Sequence, residues 1–220
     1  MERVFDIELK ELRDRLVYMS QVAEKMINLS ICGLVERNKE LAGQVFECEQ
    51  EVNKLHIEVD ELCIRLLALR QPIAADLRLI TAAMKINNEL ERIGDQSVNI
   101  SENTAIYLEH PALKPLIDIP RMVEITKEMV IDSITSFVNE DVGLARFVLK
   151  RDDEVDNLRN QIFHELLTYM LSDATTIQRA LCIILISRNI ERIADHATNI
   201  CEDVVFLTLG KDIRHHAEKS

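Results

Sequence analysis

A twelve-residue segment occurs twice in this chain at an interval of 100 residues. The first copy, ERIGDQSVNISE, begins at Glu91 and the second, ERIADHATNICE, begins at Glu191; seven of the twelve positions are identical. Another related pair, EVNKL from Glu51 and EVDNL from Glu154, precedes the two copies. Because self-similarity at a long interval is typical of a duplicated structural unit, the sequence predicts two equivalent halves.

Each half is expected to consist of long helices. The chain has only five glycines and four prolines among 220 residues, so it is poor in residues that favour turns. Pro111, Pro115 and Pro120 fall near the middle, where the ring and the missing N–H of proline prevent a helix from continuing. The six predicted helices span residues 5–37, 39–70, 74–108, 119–139, 141–171 and 174–209. The predicted fold is all-α, a tandem repeat of two antiparallel three-helix bundles with domains at residues 1–110 and 111–220.

Acidic and amide side chains share one face of the third helix in each half. At 100° per residue, the acid four positions and the amide eight positions after the first acid lie within about 80° of it, opposite an apolar stripe. The candidate ligands on this face are Glu91, Asp95 and Asn99 in the first copy, and Glu191, Asp195 and Asn199 in the second. His196 lies about 100° around the helix from Asp195 and is expected to be solvated.

Two interpretations of this face remain open. Most polar side chains opposite a core-facing stripe are simply solvated. However, two acids four residues apart place like charges side by side, which destabilises a helix, and both copies have this arrangement. A cation bound between the carboxylates would remove the repulsion, so the spacing also favours a metal site.

Acids on the preceding helix extend the pattern. Asp152 and Asp156 stand four residues apart, and their counterparts in the first half are Glu49 and Asn53. Where these helices pack beside the third helices, we expect carboxylates from two helices to converge. Oxygen ligands leave magnesium, manganese and iron open and disfavour zinc.

Composition and missing motifs argue against several classes of function. A net charge of −12 argues against a nucleic-acid partner, which needs clustered basic side chains. No apolar run approaches the roughly 20 residues of a membrane span. We also expect no signal segment, and therefore predict that the protein is cytoplasmic. Phosphate-binding glycine loops and the nucleophile motif G-x-S-x-G are absent, so no enzyme is predicted. A carboxylate-bridged metalloenzyme and a metal-free helical scaffold are the alternatives.

Three segments together resemble the PhoU family of bacterial phosphate-specific transport accessory proteins: ERIGD at 91–95, ERIAD at 191–195 and RQPIAADLR at 70–78. The resemblance extends from about residue 5 to residue 216. It implies a tandem three-helix-bundle fold whose E(D)-x-x-x-D motifs bind multinuclear iron or, in some members, zinc, manganese or magnesium. The ligands implied by position are Glu91, Asp95, Glu191, Asp195, Asp152 and Asp156. Glu49 is paired with Asn53, and because a neutral amide oxygen is a weaker ligand, we expect the first-half site to hold metal less firmly.

The resemblance also implies a regulator. The family represses the phosphate-starvation response when phosphate is plentiful. It is thought to act between the phosphate ABC transporter, especially its ATPase subunit, and the membrane-bound sensor histidine kinase. For this chain, the resemblance implies restraint of phosphate uptake and of kinase signalling, and contact with the inner membrane only through these partners. A homodimer is expected for such an elongated bundle.

Overall fold

The computed structural model describes residues 4–213. Residues 1–3, on which the predicted absence of a signal segment partly rests, lie outside this range. Residues 214–216, where the family resemblance ends, also lie outside it. All regular structure in the described range is helical. The elements are α1 (Val4–Val35), α2 (Lys39–Arg70), α3 (Ala75–Tyr107), α4 (Asp118–Asn139), α5 (Val142–Ser172), a 3₁₀ turn (Ala174–Thr176) and α6 (Ile177–Leu209). The all-α prediction is confirmed, and the largest difference is at α6, whose first predicted residues form the 3₁₀ turn instead.

Short polar side chains start the helices that follow tight connections. The side-chain oxygen of Asn38 accepts hydrogen bonds from the backbone N–H groups of Glu40 and Leu41 at 2.9 and 3.3 Å. Asp141 accepts one from the N–H of Leu144 at 3.0 Å. Such caps satisfy donors that have no partner within the helix, so α2 and α5 begin where the sequence predicts.

The two bundles pack against each other through two pairs of helices. The first bundle is α1–α3 and the second is α4–α6; α1 contacts α4, α3 contacts α6, and α2 and α5 lie on the outer sides. Lys85 forms an ion pair with Asp203 at 2.7 Å, and Arg78 donates to the carbonyl of Leu207 at 3.1 Å, so α3 and α6 run antiparallel. The apolar core is continuous across all six helices.

The predicted boundary at residues 110 and 111 falls between α3 and α4, in a segment that contains Pro111 and Pro115. Pro120 lies in the first turn of α4, where its missing N–H has no intrahelical partner to lose. Within residues 4–213, no helix combines the length and the apolar character needed to cross a bilayer.

Gly33 permits the close approach of α1 and α2. A Cβ at this position would lie 2.8 Å from the backbone nitrogen of Ala42. Gly33→Ala is therefore expected to lower the free energy of unfolding by about 1–3 kcal/mol, although alanine has the better helix propensity. Gly43→Ala is the matched control, because nothing lies within 4 Å of a Cβ there, and it should raise that free energy by about 0.5–1 kcal/mol. Urea unfolding followed by circular dichroism measures both changes, and effects of the same sign would contradict the packing argument.

Candidate metal centre

The second-half acids lie where α5 and α6 pack side by side. Arg159 of α5 donates from Nη2 to Oε1 of Glu191 on α6 at 3.5 Å, and the same nitrogen lies 4.0 Å from Oδ1 of Asp156. The turn of α5 that contains Asp156 is therefore next to the turn of α6 that contains Glu191.

The pKa of Asp152 indicates that the acids of the two helices lie close together. Burial, followed in decreasing order by the negative charges of Asp195, Asp156, Glu191 and Asp153, raises the pKa of Asp152 to about 6. Carboxylates act on one another in this way only when they share a poorly solvated site. The structure thus brings together four predicted ligands, two from each helix.

The other carboxylates of this cluster show the same effect. Burial and the charge of Asp195 raise the pKa of Glu191. Burial and the charge of Asp156 raise the pKa of Asp195. Asp152 and Asp195 form no ion pair with another described residue, so Arg159 compensates only part of the negative charge.

The cluster has suitable donors for a cation, but it is not a preformed coordination sphere. Carboxylate oxygens suit iron, manganese and magnesium, and uncompensated negative charge favours any of these ions. Within residues 4–213, however, no group of three or more His, Cys, Asp or Glu side chains is arranged to hold a metal ion. Binding would therefore require the four carboxylate side chains to close around the ion.

The corresponding carboxylates of the first half influence one another's pKa less than those of the second half do. Burial and the charge of Asp95 raise the pKa of Glu91, while His56, Arg92 and His196 act in the opposite direction. Glu49 is half-buried on α2 and Asn53 is exposed. Neither forms a hydrogen bond or ion pair within the described part of the chain.

A Cβ on Gly94 would lie 3.5 Å from Cγ1 of Val52. The neighbouring residues Asn53 and Asp95 therefore lie at the same level on adjacent helices.

The amides of the predicted face are placed differently from the acids. Asn199 donates from Nδ2 to Oε2 of Glu89 on α3 at 3.0 Å, which directs it toward the interface between the bundles. Asn99 is half-buried, and its backbone carbonyl accepts a hydrogen bond from Asn103 at 2.7 Å. The structure does not bring Asn199 into the cluster around Asp152.

The expectation of a solvated His196 is wrong. Nδ1 of His196 lies 2.7 Å from Oε2 of Glu89, and both side chains are largely buried between α3 and α6. Burial raises the pKa of Glu89, but the hydrogen bonds from His196 and Asn199, with the charges of His196 and Arg92, lower it below its ordinary value. Sequence reasoning missed Glu89 because its counterpart in the repeat is Asn189.

Comparison with known proteins identifies the family. The sequence model of the PhoU domain matches this chain twice, at residues 16–104 and 119–204. The chain belongs to the PhoU family. The two matches coincide with the two bundles and confirm the predicted kinship and tandem fold.

Curated relatives match over nearly the full chain. A phosphate-specific transport system accessory protein PhoU homolog from Aquifex aeolicus is 40% identical, with 94% of each chain covered. A homolog of the same name from Pseudomonas putida is 38% identical, with 96% of this chain and 83% of that protein covered. These names describe accessory proteins and not enzymes.

Solved PhoU structures share the fold. The crystal structure of PhoU from Pseudomonas aeruginosa matches with a TM-score of 0.90 and 35% identity, covering 94% of this chain and all of that one. The phosphate transport system regulatory protein PhoU from Streptococcus pneumoniae matches with a TM-score of 0.88 and 25% identity, covering 94% of this chain and 98% of that one.

Replacing Asp152 by Asn should stabilise the metal-free protein in a pH-dependent way. Because the pKa of Asp152 in the folded state is about 6, above the ordinary 3.8, the cost of its charge is absent below pH 3.8 and complete above pH 6. After allowance for solvent screening, Asp152→Asn should raise the free energy of unfolding by about 1–2 kcal/mol at pH 7.5.

Urea unfolding in a buffer with EDTA, at pH 7.5 and pH 4.5, measures this gain. Glu154→Gln is the control, because Glu154 is exposed on the same helix and its substitution should change little. A gain of equal size at both pH values would contradict the assignment.

Proposed function

We propose that this chain is a negative regulator of phosphate uptake and of the phosphate-starvation response. It acts between the phosphate ABC transporter, through its ATPase subunit, and the sensor histidine kinase. The names of the relatives, which place them with the phosphate-specific transport system, support this role. The observation on this chain that carries the proposal is the cluster of four carboxylates on the accessible side of α5 and α6, which offers a charged docking surface.

The same carboxylates are proposed to bind metal ions. Iron is the first candidate, with manganese, magnesium and zinc as alternatives. Asp152, Asp156, Glu191 and Asp195 would hold the stronger site, and the first-half acids Glu91, Asp95 and Glu49 a weaker one. A bound cation would neutralise the repulsion that raises the pKa values of the second-half cluster.

The proposed location is the cytoplasm, where the protein reaches the inner membrane only through its partners. The protein is proposed to be a homodimer. The signal comes from the state of the transporter, because the chain has no phosphate-cradling glycine loop of its own.

Removing two acids should weaken partner binding. Glu191→Ala with Asp195→Ala is expected to reduce affinity for the purified transporter ATPase subunit or the kinase cytoplasmic region by about tenfold or more. Biolayer interferometry at physiological salt measures the change. Glu154→Ala, which removes an exposed acid beside the cluster, should leave affinity unchanged. Equal affinity of the double variant for every partner would refute docking at these carboxylates.

Elemental analysis tests the metal. Protein purified without added metal or chelator is expected to contain iron or another of the proposed metals, because four carboxylates favour a hard cation. Asp152→Ala with Asp195→Ala should remove most of it, whereas Glu49→Ala should remove less. Mass spectrometry with inductively coupled plasma measures the content, and metal-free wild-type protein would favour the scaffold alternative.

A further inference from the structure

A histidine, an acid and two amides meet where the middle of α2 packs against α3. Nε2 of His56 lies 3.0 Å from Oδ1 of Asn88 and 3.9 Å from Oδ2 of Asp60, which follows four residues later on α2. Nδ2 of Asn87 donates to the other oxygen of Asp60 at 3.0 Å. We define the donor triad as His56, Asp60 and Asn88. Its imidazole nitrogen has one oxygen donor beside it from each of the two helices.

The spacing of the donor triad suits a divalent transition-metal ion. Metal bonds to imidazole nitrogen and to carboxylate oxygen are about 2.0–2.2 Å long, so two ligand atoms on one ion lie about 3.0–3.5 Å apart. The separation of 3.0 Å between His56 and Asn88 falls in this range. The separation of 3.9 Å between His56 and Asp60 is slightly longer, and a small rotation of the carboxylate closes it.

A buried amide positions the carboxylate of the donor triad. Asn87 is completely buried, and its Nδ2 also donates to the backbone carbonyl of His56 at 2.9 Å. Because this amide holds Oδ1 of Asp60, Oδ2 is the oxygen nearest to the imidazole. Hydrogen bonds of this kind orient the ligands of metal sites. The side chains of His56 and Asp60 are 25% and 37% exposed, so an ion and its water ligands can reach them.

The second bundle has a fixed positive charge at the place of the imidazole. Arg159 is the counterpart of His56, and its Nη2 lies 3.5 Å from Oε1 of Glu191. Glu91, the counterpart of Glu191, forms no ion pair with another described residue. Burial and the charge of Asp95 raise the pKa of Glu91, and His56 is the first of the groups that oppose them, so His56 lies near Glu91. A cation on His56 would stand beside Glu91 as Arg159 stands beside Glu191.

The other members of the cluster also differ between the bundles. Phe163 occupies the position of Asp60, and Ser187 occupies that of Asn87. The hydroxyl of Ser187 donates to the carbonyl of Ile184 on its own helix at 2.9 Å, so it positions no ligand from α5. The donor triad therefore belongs to the first bundle alone, unlike the acidic face that both bundles share.

We propose that His56, Asp60 and Asn88 bind one divalent transition-metal ion, whose remaining positions are filled by water. Imidazole suits zinc, copper, nickel and iron, whereas oxygen ligands alone suit magnesium and manganese. The site thus takes a different class of metal from the cluster around Asp152. A neutral imidazole that binds metal through Nε2 carries its proton on Nδ1, so two bonds to the ion replace the hydrogen bond between His56 and Asn88.

The donor triad is separate from the metal sites proposed above, because it shares no ligand with them. Glu49, an acid of the weaker first-half site, precedes His56 by seven residues on α2, about 10 Å along the helix axis at 1.5 Å per residue. Variants at Glu49 and at His56 therefore distinguish the failure of one site from the failure of the other.

Calorimetric titration of the full-length protein with zinc chloride tests the site. Every protein in the series carries His215→Ala and His216→Ala, which removes two competing imidazoles near the C-terminus. His56→Ala and Asp60→Asn should each weaken one zinc site by at least tenfold. Asn88→Asp should tighten that site by about tenfold, because a charged carboxylate oxygen replaces a neutral amide oxygen.

Two control variants should leave this site unchanged. Glu49→Ala removes an acid of the other first-half site, and His164→Ala removes an exposed histidine from α5. Circular dichroism checks that each variant is folded. Asn88→Asp changes an exposed side chain, so its gain in affinity tests the proposal even where His56→Ala folds poorly.

Electron paramagnetic resonance with Cu²⁺ identifies the nitrogen ligand directly. One equivalent of Cu²⁺ should show magnetic coupling to an imidazole nitrogen, and this coupling should be lost in His56→Ala and kept in His164→Ala. A simple hydrogen-bonded contact between α2 and α3 would produce no such signal.

Three results would overturn the proposal. The first is a zinc affinity and a copper spectrum that His56→Ala leaves unchanged, which would make the donor triad a hydrogen-bonded contact only. The second is loss of the zinc site in Glu49→Ala with no effect of Asp60→Asn, which would assign the metal to the acidic face. The third is a failure of Asn88→Asp to tighten zinc binding, which would remove α3 from the site.

Discussion

The buried isoleucine stripe of α6 fixes where the acids of that helix lie. Ile186, Ile190 and Ile193 are completely buried, because α6 packs against α3, α4 and α5. Since an α-helix turns by about 100° per residue, Glu191 and Asp195 cannot also face the core. They lie instead at the edge of the contact with α5, where water is partly excluded, and this position raises their pKa values.

The two halves show how one fold can support different surfaces. Both bundles bury equivalent helical stripes, and their outer faces differ in the contacts that their side chains make. In the first bundle, His56 and Asn88 form a hydrogen-bonded contact between α2 and α3. In the second bundle, Arg159 and Arg188 occupy these positions and border a cavity. The two halves therefore share one arrangement of helices, and substitutions on the outer faces give them different side-chain contacts.

Local signals made most of the fold predictable. Asn38 and Asp141 cap helices at the expected positions, and the repeated segment identified the two bundles before any coordinates. The convergence of Asp152 with Asp195 could also be predicted from the sequence, because two acids four residues apart must share one side of a helix. The direction of the Asn199 side chain could not be predicted, since its hydrogen-bond partner Glu89 lies 110 residues away on α3. The angle around a helix specifies a side chain's direction but not which neighbouring helix lies there.

Arg159 lies between the carboxylates of α5 and α6 and lines the cavity that Glu191 and Asp195 also line. Its distances of 3.5 Å to Glu191 and 4.0 Å to Asp156 are long for a charge-assisted hydrogen bond, which is usually about 2.7–2.9 Å. Its Nε is buried without a hydrogen-bond partner among the described residues. A cation on the carboxylates would compete with this guanidinium for the same oxygens. Neutralising the carboxylates would therefore also change the charge that the cavity presents to a partner.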